Sequence, residues 1–405
     1  MNILKGNLLT QILVAFVIAI ILGLIFGEPI EVIKPLGDLF LRLIKLIIAP
    51  LVLSTLVIGV ASIGDPKSLG RVGTKTISYY LITTAIAIII GLGFAFIINP
   101  GKGLSIDIPS TEVEVNESEG VIQTFLNIIP ENPFAAMTEG NILQIIFFAI
   151  FIGLAITIVG KKAEPVYNFF NGFAEVMFWI TGIIMRFAPI GILGLVAPII
   201  GQYGASVLLP LLKIILAVGI ACLLHAILVY SLSVKTFAKL NPLTFFKGIA
   251  PAAVVAFSTA SSAGTLPVTI KNTQENLGVS NKISSFVLPL GATINMDGTA
   301  IYQGVAVIFI AQFYGLDLTF MQLLTVVITT VLASIGTAGV PGAGMIMLAM
   351  VLGAIGLPLE GIALIAGIDR ILDMFRTTVN VVGDASAAVV VAGTEDEIDR
   401  KVFET

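Results

Sequence analysis

The chain has 405 residues, of which 57% are hydrophobic and only 11% are charged, and its formal net charge is −4. Because soluble domains carry about 25% charged residues, this composition excludes an ordinary soluble protein. No disulfide framework, Cys/His metal cluster or basic nucleic-acid surface is visible. Cys222 and His225, the single residues of their types, lie in one apolar run and are interpreted as packing residues, with a proton relay as the alternative for His225.

Eight apolar runs are long enough to cross a hydrocarbon core about 30 Å thick. In chain order they cover 8–27, 38–63, 76–99, 142–160, 174–201, 206–233, 285–313 and 359–392. The first run lacks a small-residue cleavage site, so we interpret it as an uncleaved helix and not as a signal peptide. The sequence therefore predicts an all-α membrane protein with eight transmembrane helices.

Basic loops recur after every second crossing and predict the orientation of the chain. They contain Lys67, Arg71 and Lys75, then Lys161 and Lys162, then Lys235, Lys239 and Lys247. The acidic loop 107–119 falls between them. Since Lys and Arg concentrate in cytoplasmic loops, we expect a multi-pass protein of the cell membrane with both termini in the cytoplasm and 101–120 outside.

Two further hydrophobic segments, 243–277 and 317–356, are too short or too broken to be simple spans. Each contains a small-residue tip that ends in proline, at 261–267 and 336–341. Each is followed by a helix that carries an amide and an acid close together. The orientation gives the two units opposite topology, which predicts inverted repeats with two re-entrant helical hairpins and a binding site near the bilayer midplane. The alternative is that the tips are ordinary kinks.

The last apolar run carries a polar stripe. Its members are Asp369, Asp373, Arg376, Asn380 and Asp384, with Arg370 and Thr377 beside them. Their spacing of three and four residues puts the stripe on one helical face. Because each charge at mid-helix costs about 2.5–3.5 kcal/mol, the stripe must line a polar interior.

The stripe is complementary to an acidic amino acid. Arg376 offers a planar fork for a carboxylate, and Asp373 offers an acceptor for an ammonium group. The alternative is that these two residues only pair with each other. A channel and an intramembrane enzyme are the rival classes, but a channel needs no zwitterion-shaped pocket, and one histidine and one cysteine leave no catalytic triad.

Amides and acids in the last two polar helices indicate a cation site. Asp384, Asn380, Asn295 and Asp297 supply oxygen atoms, which favour hard cations. Unwound backbone near such residues adds carbonyl ligands in transporters. We expect sodium, because a transported ion must leave as well as enter.

The chain resembles the glutamate transporter family, which includes archaeal aspartate transporters and animal excitatory amino acid transporters, over essentially its whole length. The resemblance is carried by GATINMDGT at 291–299, SIGTAGVPG at 334–342, and RTTVN at 376–380 with Gly383 and Asp384. It implies a homotrimer in the lipid bilayer and an elevator mechanism. The implied scaffold covers 1–74 and 101–203; the implied transport domain covers helix three at 75–100 and 204–394, with hairpins at 243–277 and 317–356, and 395–405 is a cytoplasmic tail.

The resemblance also implies roles for individual residues. Asp373 would accept the substrate amino group, Arg376 would clamp its side-chain carboxylate, and Asn380 with Ser262 would hold its α-carboxylate. The full implied substrate set is Ser261, Ser262, Thr299, Gly339, Val340, Gly344, Asp373, Arg376, Thr377 and Asn380. Gly339, Val340 and Gly344 belong to the second hairpin, which we expect to be the extracellular gate.

Three sodium sites are implied in the same way. The first uses Asp384, Asn380 and the backbone of Gly291 and Asn295; the second uses the backbone of Thr293, Ser334, Ile335 and Thr337 near Met296; the third uses Tyr80, Thr83, Thr84, Asn295 and Asp297. The family often has serine at the position of Thr84, and the threonine of this chain keeps the hydroxyl group.

Two departures from the family pattern bear on coupling. Ala260 stands where archaeal members have arginine, and Arg370 is present in the last helix, either as a substrate ligand or as a partner of Asp369 or Asp373. Gln303 stands where animal members have a titratable glutamate, which favours sodium over protons. The predicted function is sodium-coupled symport of aspartate or glutamate; the alternative is a proton-coupled glutamate/aspartate or dicarboxylate symporter.

Overall fold

A computed structural model describes residues 8–62, 66–102, 126, 129–335 and 342–403. Across these ranges every regular element is helical, beside one isolated bridge between Val279 and Ile398, so the all-α prediction is confirmed there. The longer helices are α1 (Leu8–Phe26), α2 (Lys34–Ser62), α3 (Pro66–Ile98), α4 (Pro133–Glu139), α5 (Ile142–Val159), α6 (Glu164–Tyr203), α7 (Leu208–His225), α8 (Pro242–Thr259), α9 (Ser262–Glu275), α10 (Asn281–Ile294), α11 (Asp297–Phe313), α12 (Phe320–Ser334), α13 (Ala343–Ala354), α14 (Ile362–Ala366) and α15 (Asp369–Thr394). α7 continues through π-helical turns at Ala226–Tyr230 and Val234–Ala238.

Seven of the described helical stretches are long and apolar enough to cross a membrane. They are Glu28–Ala61, Gly70–Ile98, Gln144–Ser206, Leu208–Ala238, Pro242–Thr259, Asn281–Phe313 and Asp369–Thr394. Gln144–Ser206 covers two predicted crossings, and the first predicted crossing appears among the shorter apolar helices. The count of eight therefore stays a prediction.

The helices pack in two groups. α1 and α2 lie against α6, and α2 also contacts α5. In the other group α11 is surrounded by α3, α7, α13 and α15, and α15 also contacts α8, α9 and α10. The most apolar part of Asn281–Phe313 is completely buried, so the core of this second group lies around α11. The division into a fixed scaffold and a moving domain stays a prediction.

Both predicted hairpins contain two helices in contact with each other. α8 and α9 are joined by Ala260 and Ser261, and Ala260 adopts a left-handed conformation with φ of 49°, which is uncommon for a residue with a Cβ. The Ser261 hydroxyl accepts a hydrogen bond from Gly264 N at 3.0 Å and caps α9. α12 and α13 form the second pair. Its tip at 336–341 lies outside the described residues.

The chain is unwound between α10 and α11. Asn295 has φ −86° and ψ 97°, and Met296 has φ −121° and ψ 44°, so two residues interrupt the helical hydrogen bonds. The last carbonyl groups of α10 and the first amides of α11 therefore lack the partners that a continuous helix would give them. This break lies in the buried centre of the second helix group, where free backbone groups can contact ligands.

Residues 395–403, here called the C-terminal strap, fold back onto the chain segment between α9 and α10. Their contacts are Ser280 N donating to Glu397 O (3.0 Å), Asp399 N donating to Gly278 O (2.8 Å), and Glu395 paired with Arg71 (2.6 Å) and Lys75 (2.5 Å). Phe403 at the end of the strap is 1% exposed. The strap thus connects the start of α3 to the base of the first hairpin.

Candidate substrate and cation site

Arg376 is the centre of a buried ionic cluster on α15. It is 1% exposed, and its Nη1 lies 2.9 Å from Asp369 Oδ1 while its Nη2 lies 2.9 Å from Asp373 Oδ1. Its Cζ also lies 4.2 Å from the ring centroid of Tyr302 on α11. A guanidinium buried this deeply needs compensation, and two carboxylates and an aromatic face supply it. Arg376 therefore does pair with Asp373, and it has Asp369 as a second partner.

Asp373 connects this cluster to the second hairpin. Its Oδ2 accepts a hydrogen bond from Gly342 N at 3.3 Å, and its Oδ1 lies 3.5 Å from the Thr377 hydroxyl. Gly344, at the start of α13, packs directly on the Arg376 guanidinium, because a Cβ at this position would collide with Nη1. The start of α13 is thus fitted against the charged stripe.

Asn380 connects the stripe to the helix break. Its Oδ1 accepts from Gly298 N at 2.8 Å, and its Nδ2 lies 3.3 Å from both the Thr299 hydroxyl and the Met296 sulfur. The amide thereby fastens α15 to the first turn of α11. Both polar atoms of the Asn380 side chain thus contact residues at the point where the unwound backbone ends.

The structure brings together six of the ten predicted substrate ligands. They are Thr299, Gly344, Asp373, Arg376, Thr377 and Asn380. Ser261 and Ser262 lie at the tip of the first hairpin, and the Ser262 hydroxyl is buried with no hydrogen-bond partner within the described chain. Gly339 and Val340 lie outside the described residues.

Arg370 holds the first hairpin to α15. Its Nη2 donates to Thr259 O, the last carbonyl of α8, at 2.9 Å. Its Nη1 lies 3.7 Å from Asp373 Oδ2, whereas Asp369 pairs with Arg376. Of the two partners expected for Arg370, the structure therefore selects Asp373.

Asp384 and Asp297 are two buried carboxylates on either side of the helix break. Asp384 is 2% exposed and accepts from Asn295 Nδ2 at 3.0 Å; Asp297 is fully buried. Within the described ranges, neither forms an ion pair with Lys or Arg. A buried carboxylate without a positive partner is costly, so a cation close to Asp384 would stabilise its charged form. Asp297 has the His225 ring nitrogen Nε2 3.2 Å from its Oδ2, and a cation beside its Oδ1 would add to that contact.

The surroundings of Asp384 fit a small hard cation. A Cβ on Gly291 would lie 2.5 Å from both Asp384 Oδ1 and the Tyr80 hydroxyl, so only glycine lets these three groups converge. Asn295 Oδ1 is buried and lacks a hydrogen-bond partner in the described structure. Carboxylate, amide and carbonyl oxygens are the ligands that such cations prefer.

The other predicted cation ligands are found in two places. Thr84 and Thr83 donate to Asp297 Oδ1 at 2.7 and 3.2 Å, and Tyr80 donates to Val287 O at 3.0 Å. Thr293 and Ile335 line one cavity of about 440 Å³. Ser334 is 1% exposed and donates to Val331 O at 2.7 Å. Thr337 lies outside the described residues.

Sequence reasoning missed two side chains of this site, Tyr302 and Tyr230, and interpreted a third, His225, as a packing residue with a proton relay as the alternative. Tyr302 contacts Arg376, and Tyr230 and His225 contact Asp297 Oδ2 at 2.8 and 3.2 Å. His225 is buried as a packing residue would be, yet it also contacts a carboxylate. Its proximity to Asp297 has no signal in the linear spacing, because the two residues belong to different helices.

A buried, charged stripe beside a broken helix, in a chain with several apolar spans, is the arrangement of a membrane transporter. The family model described as "Sodium:dicarboxylate symporter family" matches residues 8–394. The chain belongs to this family, and it is a multi-pass membrane protein of a transporter family, not an enzyme family. The resemblance to the glutamate transporters is thereby confirmed.

Individual relatives match over nearly the whole chain. A proton/sodium-glutamate symport protein of Geobacillus stearothermophilus is 42% identical over 408 residues, which cover 98% of this chain and 96% of the relative. A proton/glutamate-aspartate symporter of Escherichia coli (strain K12) is 40% identical over 420 residues, with 99% and 96% covered. A C4-dicarboxylate transport protein of Bacillus subtilis (strain 168) is 36% identical over 404 residues, with 97% and 94% covered.

Proposed function

We propose that this protein is a secondary active symporter that takes up aspartate or glutamate together with sodium ions. The observation that carries the proposal is the buried Arg376, held between Asp369 and Asp373 on the same helix. A guanidinium and a carboxylate side by side are complementary to a molecule with both a carboxylate and an ammonium group. The two relatives named for glutamate symport support this substrate class.

On binding, the substrate would replace contacts that Arg376 and Asp373 now make with each other. Its side-chain carboxylate would take one edge of the Arg376 fork, and its ammonium group would bind Asp373, which already accepts hydrogen bonds there. Asn380 and the unpartnered Ser262 hydroxyl would hold the α-carboxylate. Because the charges of the cluster and the substrate are complementary, no bare charge is left in the pocket.

Asp373 also separates amino acids from simple dicarboxylates. One relative is named for C4-dicarboxylate transport, and such a substrate has no ammonium group to bind an acceptor. With Asp373 charged and close to the pocket, a second substrate carboxylate near it would be repelled. This favours an amino acid over a dicarboxylate for the present chain.

Sodium coupling is favoured by the ligands around the helix break. Asp384 and Asp297 are buried without a Lys or Arg partner in the described chain. Thr84 Oγ1 lies 2.7 Å from Asp297 Oδ1, and Asn295, which donates to Asp384 through Nδ2, has its Oδ1 left without a hydrogen-bond partner there. Gln303 is fully buried and donates to Gly344 O at 3.3 Å. Because its amide side chain does not titrate, it cannot take up and release a coupled proton. Proton coupling is the second candidate, because a buried carboxylate can be neutralised by a proton as well as by a cation.

The proposal includes an elevator mechanism in a homotrimer with both termini in the cytoplasm. A cavity of about 440 Å³ is lined by residues of both helix groups, among them Thr55 of α2, Glu175 of α6, and Ser285 and Phe286 of α10. An incompletely packed contact between the two helix groups supports sliding of one past the other, since close packing would resist it. The scaffold would hold α1, α2, α5 and α6, and the second hairpin would be the outer gate.

Uptake into proteoliposomes tests the function. Purified protein is reconstituted, and radiolabelled aspartate is added outside under an imposed sodium gradient, an imposed proton gradient, or neither. We expect concentrative uptake with the sodium gradient, competed by glutamate more strongly than by succinate or serine. Uptake driven by the proton gradient alone would select the second candidate, and equilibration without concentration would indicate a channel.

A further inference from the structure

The Asp297 carboxylate is held from two opposite sides. Its Oδ1 accepts from the hydroxyls of Thr84 and Thr83 on α3, at 2.7 and 3.2 Å. Its Oδ2 accepts from the Tyr230 hydroxyl at 2.8 Å and lies 3.2 Å from His225 Nε2. All five side chains are at most 2% exposed. Each oxygen of the carboxylate thus has its own pair of partners on its own helix.

A π-helical turn is what lets both α7 residues reach the same oxygen. In an α-helix each residue turns by about 100°, so residues five apart point about 140° away from each other. Between His225 and Tyr230 the helix forms the π-helical turn Ala226–Tyr230, in which residues five apart are hydrogen-bonded neighbours. The two rings therefore meet edge to face, with centroids 5.0 Å apart and planes at 88°. Turns of this kind are frequent at functional sites.

Tyr230 is also fixed against α15. Its hydroxyl lies 3.2 Å from Val379 O, the carbonyl that precedes Asn380. A Cβ on Gly383 would lie 2.5 Å from the same hydroxyl and 2.6 Å from Asn295 Nδ2, so any larger residue here would displace both side chains. Tyr230 is wedged between the start of α11 and the middle of α15, where it has little freedom to turn.

From this geometry we propose that His225 and Tyr230 are positioning residues that orient Asp297 for the coupled cation. The inference rests on the proposed sodium symport and adds two residues outside the implied ligand set. With Oδ2 fixed by α7, Oδ1 faces Thr83 and Thr84, the hydroxyls expected to share the cation. Without the α7 donors, the carboxylate could rotate, and the cation would have to restore its orientation on binding.

The positioning role predicts how much the cation affinity should fall when either residue is replaced. Removing an outer partner of a metal-ligating group typically costs about 10- to 100-fold in metal affinity. His225 Nδ1 has no hydrogen-bond partner in the described structure, so the ring acts on this site through Nε2. In the described structure, the hydrogen bonds of His225 and Tyr230 go to Asp297 and Val379 and not to the Arg376 cluster, so the intrinsic substrate affinity should not change.

The test uses three substitutions and a matched control. Tyr230→Phe removes one hydroxyl, His225→Leu removes the ring donor, and His225→Gln keeps an amide donor at a similar reach. The control is Tyr79→Phe, which also removes a tyrosine hydroxyl between α3 and α15, where it contacts Ser386 at 2.7 Å. Aspartate binding to the purified full-length protein is measured by calorimetry at a series of sodium concentrations.

We expect Tyr230→Phe and His225→Leu to raise the sodium concentration for half-maximal aspartate binding by about 10- to 100-fold. At saturating sodium their aspartate affinity should equal that of the parent, while His225→Gln and Tyr79→Phe should follow the parent throughout. A purely structural role would instead lower aspartate binding at every sodium concentration, and that result would overturn the inference.

Asp297→Asn separates this inference from the proposed function. Suppose that aspartate binding by the parent depends on sodium and that Asp297→Asn changes this dependence. If Tyr230→Phe and His225→Leu then show the sodium dependence of the parent, the positioning role is wrong while sodium symport stands. If sodium leaves aspartate binding by the parent unchanged, the proposed sodium coupling fails, and the positioning role fails with it.

Discussion

Replacing Arg376 with cysteine should convert the substrate preference from acidic to small neutral amino acids. Arg376 is 1% exposed, and its two carboxylate partners lie at 2.9 Å. The side-chain carboxylate of the proposed substrate would bind the same buried guanidinium, away from water. Truncating one partner of such a charge pair costs about 2–5 kcal/mol. At about 1.4 kcal/mol per tenfold, aspartate affinity should fall by about 30- to several-thousand-fold.

Serine should lose little affinity and can gain some, because Asp373 and Asn380 still hold the groups that all amino acids share. The substitution should also lower the stability of the fold, because Asp369 is 4% exposed and loses its ion-pair partner Arg376. The double variant Arg376→Cys with Asp369→Asn removes this uncompensated charge and should restore the stability of the fold. The same inverted preference in both variants would show that specificity, and not folding, has changed.

Arg370→Cys is the matched control, since it removes a second guanidinium from the same helix. Arg370 bonds the first hairpin at Thr259 O, so its loss should weaken the hairpin contact and leave the preference for aspartate over serine intact. The assay is calorimetric titration with aspartate and serine after size-exclusion chromatography has shown that the variant elutes like the parent protein. An Arg376→Cys protein that folds and binds aspartate with parental affinity would refute the role of the guanidinium.

Three further changes test other parts of the site. Asp384→Asn should raise the sodium concentration needed for substrate binding, because a charged cation ligand is lost and the two binding events are linked; an unchanged sodium titration would disprove the assignment. Asp373→Ser should weaken aspartate binding far more than succinate binding, since succinate has no ammonium group; equal losses in a competition assay would count against the role. The Arg71 guanidinium, and then Lys75, hold the pKa of Glu395 below its usual value, so its contribution to stability is present above the ordinary glutamate pKa and is lost as the pH falls through the lowered value. Glu395→Gln should therefore lower the melting temperature at neutral pH and flatten its fall at acidic pH; parallel melting curves for both proteins would contradict this.

The polar stripe of the last helix was predictable because its spacing is that of one helical face. Asp373 and Arg376 are three residues apart, and they do pair. Asp369 is seven residues from Arg376, two turns along the same face, and it pairs as well. Contacts within one helix follow from its geometry, so linear spacing contains the information.

Contacts between helices could not be read from spacing in the same way. The approach of Tyr302 to Arg376 depends on how α11 is rotated against α15. The approach of Tyr230 to Asp297 depends in addition on a π-helical turn, which adds a residue to the turn and redirects the side chain. Apolar periodicity over 206–233 predicts a helix but gives no sign of this local change.

The C-terminal strap offers a spectroscopic handle on the first hairpin. Arg400 is exposed on the strap, whereas Cys222, the single cysteine of the chain, is 2% exposed. Arg400→Cys would thus provide one reactive thiol for a spin label or fluorophore without removal of the native cysteine. Because Ser280 and Gly278 bind the strap backbone, the probe would travel with the hairpin base. Its distance to the equivalent probe in a neighbouring protomer of the proposed homotrimer would report the position of that base during turnover.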